Sequence, residues 1–103
     1  MAKVKGTIDL SESREIAFVS RQKGVFTIEL FCADLSGDTT FTLQHSVGGT
    51  NFDTAQDNGT DISETLSDNT AFVRSYECDT ALSFKIVFAG STTGSVAYQI
   101  NVN

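Results

Sequence analysis

Apolar and polar residues alternate along most of the chain with a period of two. Val4, Gly6, Ile8 and Leu10 hold the even positions of the first segment and Lys3, Lys5, Thr7 and Asp9 the odd ones. That is the pattern of a strand with one dry and one wet face. Ile16 and Phe18 predict a second, shorter strand. Phe26, Ile28, Leu30 and Cys32 alternate with Val25, Thr27, Glu29 and Phe31, and Phe41 and Leu43 with Thr40, Thr42 and Gln44. Phe72, Arg74, Tyr76 and Cys78 oppose Ala71, Val73, Ser75 and Glu77. Leu82, Phe84, Ile86 and Phe88 alternate with Ser83, Lys85 and Val87, and Val96, Tyr98, Ile100 and Val102 with Ala97, Gln99 and Asn101. The runs are rich in the β-branched and aromatic residues that suit a pleated surface.

Turn chemistry separates these runs at Ser36-Gly37-Asp38, Val47-Gly48-Gly49-Thr50, Asp57-Asn58-Gly59, Ser67-Asp68-Asn69 and residues 89–95. Gly, Asn and Asp supply the left-handed backbone angles that tight turns need. The stretch 61–66 reads as a short strand. No window sustains a helical period. The expected fold is all-β, an antiparallel β-sandwich or jelly-roll-like domain of about seven or eight strands, formed by residues 1–103 as a single unit. Proline is absent, so only charge (Lys3, Lys5, Glu29) is available to protect sheet edges from unwanted pairing.

Composition sharpens this picture. Eight Phe stand against two Tyr and no Trp, and Phe has no polar handle, so most of the rings belong in the core. Phe31 and Phe52 are the aromatics expected to be partly exposed, as interface anchors; the alternative for Phe31 is a strand buried on both faces. The net charge of −6 argues against nucleic-acid binding, which needs clustered cations. The charge is uneven. Lys3, Lys5, Arg14, Arg21 and Lys23 outnumber Asp9, Glu12 and Glu15 in the first 24 residues, whereas Arg74 and Lys85 face ten acids in the rest. Such a bipolar chain can dock its basic end on an acidic partner or on another copy of itself. No stretch has the length and apolarity of a membrane span or a leader segment, so folding in a reducing cytoplasm is expected, and the Asn58-Gly59-Thr60 acceptor pattern has no glycosylation to serve.

The inventory for catalysis is thin. His45 is the one histidine, so every triad must use it, and Ser46 beside it would point to the opposite face of a strand. His45 is therefore expected to be a structural strand-end residue, and no enzymatic activity is expected. Cys32 and Cys78 lack the companions of a zinc site and are expected as small core residues, with a disulfide open only if their strands bring them within reach. The acidic loop Asp53, Asp57, Asp61, with Glu64 beyond, fails the calcium-loop spacing and is expected to be a solvated loop. No cofactor is expected.

The segment Phe41-Thr-Leu-Gln44-His-Ser-Val-Gly-Gly-Thr-Asn-Phe52-Asp resembles a Q-x-S-x-D-G-x-x-[FW] hairpin of small β-sandwich proteins from bacteriophage particles, with Gly48 where that pattern carries Asp. The final hairpin, Phe84 to Phe88 and Ser95 to Ile100, resembles the closing hairpin of the same proteins. The resemblance implies a non-enzymatic virion structural protein: an auxiliary or decoration protein docking on the major capsid protein or on neighbouring copies. It would be assembled in many copies in the host cytoplasm. Lys3, Lys5, Phe31 and Phe52 are the expected partner-binding residues. A carbohydrate- or receptor-binding module of a fibre, using loops 47–61 and 89–95, and a tail or connector component are the alternatives.

Overall fold

The computed structural model describes residues 2–20, 24–57, 59–78 and 83–102. None of them is helical. The strands are β1 (Ala2–Asp9), β2 (Glu15–Val19), β3 (Gly24–Ala33), β4 (Thr39–Ser46), β5 (Asp53–Thr54), β6 (Gln56–Asp57), β7 (Thr60–Asp61), β8 (Ser63–Leu66), β9 (Ala71–Cys78), β10 (Ser83–Phe88) and β11 (Ser95–Val102). The alternating segments recognised in the sequence are all strands. The stretch 61–66 is chiefly β8, and Leu82 lies outside the described residues.

One sheet has the order β1-β11-β3-β9. The other runs β2-β10-β4, with β5 and β8 both paired to β4, and β6 and β7 form a small ribbon. All pairings are antiparallel. When the two-residue strands β5–β7 are set aside, the longer strands form two sheets in the order first-eighth-third-sixth and second-seventh-fourth-fifth. This is jelly-roll connectivity: each long strand crosses to the opposite sheet, except at the fourth-to-fifth step, where the β5–β7 insert intervenes.

The period-two residues fill the space between the sheets. Ile28, Leu30, Cys32, Phe41, Leu43, Ile86, Val96 and Ile100 are fully buried. Phe18, Phe26 and Phe84 form one aromatic group, with Phe18 stacked on Phe84 at 5.1 Å between ring centroids and Phe26 4.9 Å from Phe84. Phe41 forms a second group with Phe72 and Phe88. Edge-to-face and offset ring contacts of this kind add to area burial.

Three local devices close the structure. The Arg14 guanidinium donates to four carbonyls: Phe88 at 3.0 Å, Leu10 at 3.3 Å, Thr92 at 2.7 Å and Ala89 at 2.7 Å. It thereby ties the β1–β2 loop to the β10–β11 loop. Gly94, at φ +138°, passes so close to β3 that a Cβ there would lie 2.8 Å from the Asp34 carbonyl oxygen. Asn69 takes a left-handed angle (φ 55°) and its N–H donates to the Cys32 carbonyl, while Asp68 Oδ1 accepts the Leu35 N–H.

Cys32 is buried and free. Cys78 pairs in register with Gly24, at the other end of β3 from Cys32. At about 3.3 Å per residue that separation is far beyond the roughly 7 Å Cα limit for a disulfide, which answers the pairing question left open by the sequence. Burial raises the Cys32 thiol pKa, and Asp68 adds to the rise.

Candidate functional site

The outer face of the β1-β11-β3-β9 sheet is the broadest feature with functional character. Register places its side chains in rows across the strands. One row reads Thr7, Ala97, Phe31, Ala71; the next Lys5, Gln99, Glu29, Val73; the next Lys3, Asn101, Thr27, Ser75. Beyond them Val25 pairs with Glu77. Phe31 is 44% exposed and Val73 62%. Phe31 is thus not in a doubly buried strand; it stands on an interior strand of a solvent-facing sheet, near one end, flanked by Ala97 and Ala71, with Val73 in the next row. A large ring amid small side chains on an exposed sheet face is an apolar feature of the kind that anchors interfaces.

Lys3 and Lys5 are exposed on β1, an edge strand of this sheet. They protect that edge, as charge on an edge strand should. Glu29 does not, because β3 is an interior strand. Arg14 is spent on the loop carbonyls, and Arg21 and Lys23 lie outside the described residues.

Phe52 is not on this face. It is half-buried on the outside of the opposite sheet, where Lys85 Nζ sits 4.2 Å from its ring centroid, and Lys85 also approaches Glu15 at 3.9 Å. Covered by a cation, the ring is a closure for the loop that precedes β5. Phe31 and Phe52 are accordingly not the full set of partly exposed aromatics: Phe72 and Tyr98 are half-buried too. Tyr98 lies across Gly6, where an added Cβ would come within 2.7 Å of its hydroxyl oxygen.

A second feature is a cleft of about 300 Å³ lined by Asp57, Asp61, Glu64, Arg74 and Tyr76, with Thr60, Ile62 and Ser63. It opens where β8 of one sheet meets β9 of the other. Arg74 is on the inward parity of β9 but at the sheet edge, so its guanidinium reaches across to Glu64 Oε2 at 2.6 Å. The buried Tyr76 hydroxyl donates to the same oxygen at 2.8 Å. Burial pushes the Tyr76 pKa far up, and the bond to Glu64 raises it further. One carboxylate thus joins the two sheets through two donors. Gln56 donates to Asp61 Oδ1 across the β6–β7 ribbon at 2.8 Å.

His45 sits near the end of β4 on the inward parity, opposite Phe84 on one side and Asp53 on the other. The Ser46 hydroxyl accepts the Gly49 N–H at 2.9 Å, and Asp53 Oδ1 accepts the Thr54 N–H. Both groups are engaged with the backbone rather than with the imidazole. Among the described residues no three His, Cys, Asp or Glu are grouped as metal ligands, and the acidic loop is partly built into β5–β7. The loops at 47–52 and 89–94 lie at opposite ends of β10, since Ser46 pairs with Ser83 and Phe41 with Phe88.

No protein-family model matches the chain, and no curated protein matches it. Solved structures do. The Yersinia pseudotuberculosis-derived mitogen is similar over 99% of this chain and 85% of that one, at 20% identity and a TM-score of 0.50. PirA is similar over 98% of this chain and 93% of that one, at 9% identity and a TM-score of 0.54. The CBM22-1 xylan-binding domain of a Paenibacillus barcinonensis protein has a TM-score of 0.42 at 14% identity, over 92% of this chain and 62% of that one. At these identities the likeness concerns the fold, which is an all-β sandwich.

Proposed function

We propose that the chain is a non-catalytic docking domain, working as a structural component of a virus particle. The finer placement, an auxiliary or decoration protein of a bacteriophage capsid, draws support from the hairpin resemblance at 41–53 and 84–100. Jelly rolls recur in capsid proteins and lectins, which makes the fold compatible with the reading by analogy alone. The observation that carries the docking role is the exposed Phe31 among Ala97, Ala71 and Val73 on the outer sheet face. The mechanism is passive: many weak contacts on a repeating surface add through multivalency.

Purified particles test this reading. Mass spectrometry should find the chain in many copies, and Phe31→Asp should lower its occupancy at least tenfold while its melting temperature stays unchanged. Absence from particles, or undiminished occupancy of the variant, refutes it. The Lys3→Glu/Lys5→Glu double variant should lose occupancy too, because β1 borders the same face.

A second reading rests on the cleft. Planar carboxylates and a guanidinium around a half-open hollow suit a hydroxyl-rich ligand such as a glycan. A glycan array separates the two: binding abolished by Arg74→Ala supports the cleft, and no binding to any glycan removes it.

A further inference from the structure

We infer that the outer face of the β1-β11-β3-β9 sheet pairs with the same face of a second copy about a two-fold axis parallel to the strands. The inference rests on the reading of this face as a docking surface and names its partner. An axis running between β11 and β3 exchanges those two strands, and likewise exchanges β1 with β9. Phe31 and Ala97 are direct cross-strand neighbours on β3 and β11. The exchange therefore sets each Phe31 over the Ala97 of the other copy, a large side chain into a small one, twice. Thr7 meets Ala71 in the same row.

The charges are arranged to match. Lys5 and Glu29 share a row, two strands apart with Gln99 between them. After the two-fold exchange each Glu29 lies between the second copy's Lys5 and, across the axis, the second copy's Glu29, so that Lys5 offsets a like-charge contact, and Lys3 lies one row from the second copy's Glu77. Among the described residues no ion pair holds these groups within the single chain; the pairs there are Arg74–Glu64 and Lys85–Glu15. Edge-to-edge pairing through β1 is disfavoured by the same residues, since antiparallel β1 strands would set Lys3 and Lys5 against each other.

Size sets the strength. Four strands about 4.8 Å apart and about eight residues long, at roughly 3.3 Å each, make a face of roughly 500 Å², so two copies bury about 1,000 Å², near the lower limit for a specific interface. An interface at that limit is that of a transient pair, which gains strength where copies are held close together.

Sedimentation velocity across the micromolar to millimolar range tests this on the whole chain. The wild type should pass from monomer to dimer. Phe31→Asp should remain monomeric throughout. Lys5→Glu should weaken association about tenfold or more, and Lys5→Glu/Glu29→Lys should restore it, because the swap re-forms both pairs across the axis. A wild type monomeric at millimolar concentration overturns the inference, as does a swap that fails to rescue. A chain that stays monomeric yet loses particle occupancy on Phe31→Asp overturns the two-fold pairing alone and leaves the docking role standing.

Discussion

At the scale of single residues, polar side chains decide how the sandwich closes. Arg14 donates to four carbonyls from two loops, and no lysine can copy that fork of donors. Arg14→Lys should cost about 2–3 kcal/mol in urea denaturation, since several carbonyls lose a charged donor. Tyr76 gives a pH signature. Its pKa in the folded chain is raised above the ordinary value near 10, chiefly by burial and then by its bond to Glu64. A raised value means that the unfolded chain releases this proton first as pH rises. The Tyr76 contribution is thus intact below about pH 10 and is lost progressively above it. Tyr76→Phe should flatten the alkaline limb of a stability–pH profile and cost about 1 kcal/mol at neutral pH, where Glu64 loses a donor. Gly94→Ala should destabilise by about 2 kcal/mol or more, because the new Cβ meets the Asp34 carbonyl at 2.8 Å and the φ of +138° excludes it. None of these roles is legible from composition: Arg14 looked like one of five N-terminal cations, and Arg74 and Tyr76 like inward members of a strand.

At the scale of elements, the period-two pattern carried most of the information. β3 and β10 read as strands because burial on one face imposes alternation, and Phe26, Ile28, Leu30, Phe84, Ile86 and Phe88 are buried as their parity requires. Arg74 breaks that rule because β9 is an edge, and an edge position lets a long side chain reach past the core to Glu64. The short strands β5 to β7 were not legible, since two-residue pairings leave no periodic trace. Strand order was hidden for a different reason. β1 pairs with β11 from opposite ends of the sequence, Ala2 opposite Val102, and local pattern holds no record of such contacts. The same limit hid the Phe31 row, because Ala97 and Ala71 become its neighbours only through register. Truncating the core across that register should be costly: Leu43→Ala, at a fully buried site in β4, should lose about 2–5 kcal/mol in chemical denaturation.

At the scale of the whole molecule, jelly-roll connectivity gives the two sheets different exteriors. The β2-β10-β4 sheet is partly capped by the loop carrying Phe52, which Lys85 holds in place. The β1-β11-β3-β9 sheet presents Thr7, Ala97, Phe31, Ala71 and Val73 to solvent, with lysines on β1 and acids on β3 and β9. The chain's uneven charge was visible in its sequence, but the fold brings Lys3, Lys5, Glu29 and Glu77 onto one face. Hydroxyl-radical footprinting of free and assembled chains measures the role of that face directly. Phe31 oxidation should fall several-fold on assembly while Phe52 oxidation stays unchanged. Equal oxidation of Phe31 in both states, with protection moving to Phe52 or to the residues lining the cleft, would contradict that role.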